Sequence, residues 1–164
     1  MAFRVIVEAL ASKLVRMGAR MLGNVSDAED LVQEAFVKAH SAMHSGKYDG
    51  RASVSTWMHR IVCNLAIDQL RTGRRRGKHV EATDEMPDDA GTSAETHLAL
   101  RELEDWLKDL PPEQRATLVL STMEGHSNAE IAQMLECSEG AVEQRLVRAR
   151  TALRERRSLE HGSA

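Results

Sequence analysis

The sequence predicts an all-helical protein, built as two small modules joined by a flexible acidic linker. Three observations predict it. Only 3% of the 164 residues are aromatic, and the β-branched residues are scattered rather than grouped into strand-like runs. Apolar residues recur at steps of three and four along most of the chain, the period of helices with one buried stripe. Charge is strongly segregated although the net value is only −3: residues 81–95 hold six acids and no base, between two basic stretches. Low hydrophobicity with charge of one sign, among Pro87, Gly91, Thr92 and Ser93, marks a segment that buries too little apolar surface to fold. The expected division is therefore 1–78, a linker over 79–96, a second module over 97–157, and a disordered tail over 158–164.

The first helix carries Phe3, Val7, Leu10, Leu14, Met17 and Met21 on one stripe and stops at Gly23-Asn24. Ser26-Asp27-Ala28-Glu29 reads as a capping box that opens a second helix. Its buried side is Leu31, Val32, Ala35, Phe36, Ala39 and Met43. Asp27, Glu29, Asp30 and Glu34 crowd the first turns, where the helix dipole favours acids. Residues 45–51 are a loop by their glycines and polarity. A third helix begins near Ser53 or Ser55 and runs to about Arg76, burying Met58, Ile61, Val62 and Leu65. Arg60, Asn64, Arg71, Arg74, Arg75 and Lys78 share another side, and residues 56–80 carry a net +5.

Beyond the linker, Leu98, Leu103, Trp106, Leu107 and Leu110 lie on a helix ended by Pro111-Pro112. The next holds Ala116, Leu118, Val119, Leu120 and Met123 and stops at Gly125. Two short helices follow, Ser127 to Leu135 and Ser138 to about Arg156. Ser127-Asn128-Ala129-Glu130 is a capping box for the first, and Ser138 caps the second. A helix-turn-helix needs a small residue where its helices cross and an aliphatic one in the shared core, and Ala132 and Val142 supply them. The buried stripe of the last helix is Val142, Leu146, Ala149 and Leu153. Gly140, Gln144, Arg148 and Thr151 occupy the opposite side, with Glu143 and Arg145 on its flanks. Residues 142–157 carry a net +4, which suits a helix that lays its first turns in a major groove and its arginines on phosphates. The competing reading is an ordinary helical hairpin with a solvated arginine face. Glu136 stands where such a turn usually takes glycine, which predicts a looser turn or a strained residue.

A basic helix face near Trp57 suggests unpaired DNA, because aromatic rings stack on free bases while cations track the backbone. The simpler reading of Trp57, beside Met58 and Ile61 at a helix start, is core packing. The acids of the second helix are read either as capping and solvation or as a docking surface for a basic partner. Cys63 and Cys137 lie far apart and form no zinc-binding spacing, so both are read as reduced, packed thiols. No apolar run reaches membrane-spanning length and no signal-peptide pattern opens the chain, which predicts a cytoplasmic protein without membrane insertion.

Together these segments resemble the extracytoplasmic-function sigma factors of the sigma-70 family. The resemblance rests on Asp27-Ala-Glu-Asp-Leu-Val-Gln-Glu-Ala-Phe36, on Ser55-Thr-Trp-Met-His-Arg-Ile-Val-Cys-Asn-Leu-Ala-Ile-Asp-Gln-Leu-Arg71, on Leu110-Pro111 with Arg115, and on Gly125 through Arg154. It implies that the first module is sigma region 2, a helical bundle whose Asp27, Asp30, Gln33 and Glu34 dock on the β′ coiled coil of core RNA polymerase. It also implies −10 recognition and melting by the loop and third helix, for which Lys47, Arg51, Trp57, Arg60, Asn64, Arg71, Arg74, Arg75 and Arg76 are the candidates. The second module resembles sigma region 4, which meets the β flap and reads the −35 element. Ser138, Glu139, Gly140, Glu143, Gln144, Arg145 and Arg148 are the candidates there. Promoter DNA and an anti-sigma factor are the further partners implied, with no cofactor, metal, small-molecule substrate or catalytic residue. Gly140-Ala141-Val142-Glu143 departs from the family's Gly-Thr-Val-Lys pattern. A carboxylate at position 143 accepts from cytosine N4 but repels phosphate, so the −35 preference is expected to be unusual.

Two other classes compete. A regulator using only the helix-turn-helix, with the first module for dimerisation or sensing, would bind duplex DNA without polymerase. An enzyme could use His40 and His44, spaced four apart, as metal ligands, but no H-E-x-x-H pattern accompanies them.

Overall fold

The computed structural model describes residues 2–73 and 93–162, and every regular element among them is a helix. The chain forms two compact units, Met1–Pro87 and Asp88–Ala164. The arginine run 74–76, Lys78 and most of the acidic segment lie outside the described residues.

In the first unit α1 (Ala2–Leu22), α2 (Val25–His44) and α3 (Val54–Thr72) each pack on the other two. The α1 stripe sinks progressively: Phe3, Val7 and Leu10 are half-buried, whereas Leu14, Met17 and Met21 are fully covered. They meet Leu31, Val32, Ala35 and Phe36 of α2 and Met58, Val62, Cys63 and Ile67 of α3 to form the core. Glycine in a helix interior costs about 1 kcal/mol relative to alanine. Gly18 is tolerated because it brings α1 close to α2: a Cβ there would stand 3.3 Å from the Cβ of Ala28. His59 is buried within the unit and its Nδ1 lies 2.6 Å from the Ser55 carbonyl oxygen.

Two helix ends differ from the sequence reading. The cap of α2 is Asn24, whose Oδ1 accepts the Asp27 N–H at 3.0 Å, so Ser26 lies inside the first turn and is no cap. Asparagine caps as well as serine, and the earlier residue starts the helix first. Helix α3, capped by Ser53, ends at Thr72, because Gly73 adopts the left-handed conformation (φ 63°) that closes helices. The expected continuation to Arg76 is therefore corrected.

The second unit contains α4 (Ala94–Leu107), α5 (Pro112–Leu118), α6 (Asn128–Leu135) and α7 (Glu139–His161). Helix α4 starts inside the stretch read as linker, and Leu98 is 62% exposed rather than part of a buried stripe. Proline at the first position of α5 suits a site with no helical N–H to supply. Residues 115–120 are buried on all sides, so α5 is the central rod of the unit. It continues as a π turn, Val119–Met123, closed by the Glu124 N–H on the Val119 carbonyl. Arg115 is among the buried residues; desolvation pushes its guanidinium down to about 10, which leaves it cationic at neutral pH.

Helix α7 outruns its expected end and contradicts a disordered tail at 158–161. Its last turns are tied to the end of α4: the Trp106 indole N–H donates to Glu160 at 3.0 Å, and Arg156 pairs with both Asp109 and Glu160. Among the described residues no helix is long and apolar enough to cross a membrane.

Candidate nucleic-acid interface

The outer side of α2 is the first candidate surface. A helix turns about 100° per residue, which places Asp27, Asp30 and Glu34 within about 60° of one another and Gln33 beside Asp30. Asp30 and Gln33 are exposed, Asp27 and Glu34 half-buried. Exposed Lys38 lies 3.9 Å from Glu34, a long surface pair of small energetic weight. Val37 stands among these polar groups at 70% exposure and was missed by sequence reasoning. Its position opposite Leu31, Ala35 and Ala39 was the available signal. Val37 follows Gln33 and Glu34 by one helical turn, so this face combines charge with an apolar side chain that a partner can cover.

His40 and His44 are exposed and stack on each other, with ring centroids 4.2 Å apart, and Phe3 packs edge-on against His40 at 5.0 Å. The His44 Nδ1 lies 3.0 Å from the His40 carbonyl oxygen. In this arrangement the two rings face one another instead of converging on a point. Among the described residues no group of three or more His, Cys, Asp or Glu is placed to hold a metal.

The second surface is α3 with the loop before it. Trp57, Arg60, Asn64 and Arg71 fall within about 60° of arc on α3. Asn64 and Arg71 are exposed, Trp57 and Arg60 half-buried. Asp68, also exposed, borders the same face and reduces its positive charge. Trp57 is not a core residue. Its ring stacks on Tyr48, centroids 4.5 Å apart and planes 35° from parallel, while the Tyr48 hydroxyl donates to the Ala52 carbonyl at 2.5 Å. Tyr48 thus pins the loop onto the start of α3. It escaped the sequence reading, although two of the chain's five aromatics lying nine residues apart was a usable signal. Lys47 and Arg51 are exposed on this pinned loop, the Arg51 guanidinium 3.6 Å from Asp49. Arg74, Arg75 and Arg76 lie outside the described residues.

The third surface is the helix-turn-helix. Ser127 caps α6 through the Glu130 N–H (3.2 Å) and Ser138 caps α7 through the Ala141 N–H (3.0 Å). His126 Nδ1 lies 2.8 Å from the Glu130 carboxylate, and this bond holds that exposed carboxyl below its ordinary pKa. Between the helices Glu136 adopts the left-handed conformation (φ 54°, ψ 48°), with its N–H on the Ala132 carbonyl. The strained-residue alternative is thus the one adopted. Ala132, Val142, Leu146 and Ala149 are buried in the shared core, and Ile131 and Met134 complete it. Glu139, Gly140, Glu143, Gln144 and Arg148 are exposed on the outer side of α7. Arg145 differs from them: half-buried, it turns back to the turn and directs Nη1 to the Cys137 sulfur at 3.4 Å. Val147 is 60% exposed amid the polar outer side and was also missed. This surface offers cations for phosphates, an amide and carboxylates for base edges, and one apolar side chain.

Comparison with known proteins agrees with this geometry. Residues 6–76 match the Sigma-70 region 2 family and residues 100–153 match Sigma-70, region 4. The chain is 38% identical over 136 residues to ECF RNA polymerase sigma factor SigM of Mycobacterium tuberculosis, spanning 82% of this chain and 67% of that one. It is 33% identical over 168 residues to ECF RNA polymerase sigma factor SigW of Bacillus subtilis, spanning 93% and 87%. In fold it is similar to the sigma factor RpoE of Bartonella quintana, solved in complex with the anti-sigma factor NepR (TM-score 0.72, 24% identity, 94% and 95% covered). Two helical units in this order, with 33% identity to SigW across 87% of its length, establish that the chain belongs to the extracytoplasmic-function group of RNA polymerase sigma factors.

Proposed function

We propose that this chain divides the sigma-factor role among its three surfaces. The outer side of α2, through Asp27, Asp30, Gln33, Glu34 and Val37, docks on the β′ coiled coil of core RNA polymerase. The α3 face and its pinned loop recognise and open the −10 element. Lys47, Arg51, Arg60, Asn64, Arg71 and the run Arg74–Arg76 hold the strand, and the Tyr48–Trp57 stack supports the loop that receives an unpaired base. The outer side of α7 reads the −35 element in the major groove while the same unit meets the β flap. The chain itself supplies binding and strand separation, and catalysis of RNA synthesis stays with the polymerase in the cytoplasm. The acidic segment occupies a basic nucleic-acid path until RNA displaces it, and an anti-sigma factor holds the chain away from core enzyme.

The observation that carries this reading is the coexistence of two compact units, one with Arg60 and Arg71 on a helix that begins at a half-buried aromatic stack and the other with a capped helix-turn-helix. One unit suits unpaired DNA and the other duplex DNA. The test is run-off transcription with purified core polymerase on a promoter library. The expected result is initiation at defined sites that share two sequence blocks a fixed distance apart. Failure to associate with core enzyme, or initiation no different from that of core alone, overturns the reading.

A further inference from the structure

The outward line of α7 is Gly140, Gln144, Val147 and Thr151, which fall within about 60° of arc on the side away from Val142, Leu146 and Ala149. All four are exposed, and Val147 is 60% open to solvent at the centre of the line. Glu143, Arg150 and Arg154 flank it on one side and Arg148 on the other, all of them exposed. A valine left 60% open to solvent buries little of its surface within its own unit. Gly140 leaves the first turn low enough for close approach, since its nearest neighbour to a built Cβ is the Ser138 Oγ at 3.9 Å. A helix docked by this line places position 147, two turns from its start, within reach of base edges.

In the major groove the apolar group a base pair presents is the C5 methyl of thymine. We propose that Val147 is a specificity-determining residue that packs on a thymine methyl in the −35 element. The inference rests on the −35 reading above and deepens it. It also gives Glu143, one helical turn before, a place beside the exocyclic amine of a neighbouring cytosine, where its charge points at a base rather than at phosphate.

The test uses the full chain assembled with core polymerase and a promoter selected from a library randomised across the −35 block. Each thymine of that block, on either strand, is replaced singly by deoxyuridine, which removes only the methyl group. At one position the wild-type holoenzyme should lose about fourfold in promoter affinity, the worth of burying one methyl-sized group. Val147→Ala should bind the thymine promoter more weakly by a similar factor and be indifferent to deoxyuridine at that position. A methyl effect of the same size in Val147→Ala, or no methyl effect at any thymine, overturns the inference while leaving −35 reading intact. A library that yields no −35 preference overturns both. Unchanged association of Val147→Ala with core polymerase supports a groove contact, whereas loss of that association places Val147 on the polymerase and overturns the inference.

Discussion

At the scale of single residues, the helix-turn-helix is held in place by positions whose roles are separable by substitution. Glu136 occupies a left-handed conformation that costs a side-chain-bearing residue about 1–2 kcal/mol. Glu136→Gly should relieve that strain against the entropy glycine loses on folding, for a net gain of roughly 0.5–1 kcal/mol in denaturant titration. Leu146 is buried between the two helices, so Leu146→Ala should lose about 2–4 kcal/mol and abolish −35-dependent transcription through unfolding. The His126–Glu130 bond gives a pH signature. A carboxyl held below its ordinary pKa lends stability that is present above its unfolded value and is lost as pH falls through the lowered folded one. Thermal melting followed from about pH 5 down to about pH 3, where glutamates ordinarily titrate, should therefore show a loss of stability that Glu130→Gln lessens. On the other surface, Tyr48→Phe keeps the stack on Trp57 and loses only the bond to Ala52, whereas Tyr48→Ala loses both. Promoter opening, followed by permanganate reactivity of unpaired thymines, should fall more in the second variant than in the first.

At the scale of elements, packing between helices decides what their sequences allow. Gly18 lets α1 and α2 meet at Ala28, so Gly18→Leu should force them apart and lower stability by about 1–3 kcal/mol, measurable by urea unfolding. The periodic stripes were legible in the sequence, and Leu14, Met17, Leu31, Val32, Val142 and Leu146 are all buried as read. Ends were less legible, because several residues compete for each cap. Asn24 pre-empted Ser26, and Gly73 closed α3 before the arginine run could extend it. The tail was misread for another reason. The partners that keep α7 helical to His161 are Trp106 and Asp109, some fifty residues away, and no local pattern announces them. The candidate site divides in the same way. Helical position placed Gln144 and Arg148 outward, but it could not show that Arg145 would turn back to Cys137 or that Tyr48 would seat itself on Trp57.

At the scale of the whole molecule, a net charge of −3 conceals two basic stretches and an acidic one between them in the sequence. Counterion release then sets how its holoenzyme responds to salt. Neutralising Arg74, Arg75 and Arg76 together should flatten the logarithmic salt dependence of promoter binding, whatever the sequence, by about 0.9 for each phosphate left without its cation. Replacing Gln144 or Arg148 should leave that slope nearly unchanged for the amide and alter which −35 blocks are chosen, by roughly 1–3 kcal/mol per base pair read. The tryptophans, finally, are distributed one to each unit, Trp57 against a tyrosine ring and Trp106 bonded to a carboxylate at the far end of α7. Nature has thus installed two native optical gauges. With Trp57 changed to phenylalanine, the remaining emission belongs to the junction of α4 and α7 alone, and any protein that pries that junction open announces itself as a change of colour without a dye being attached.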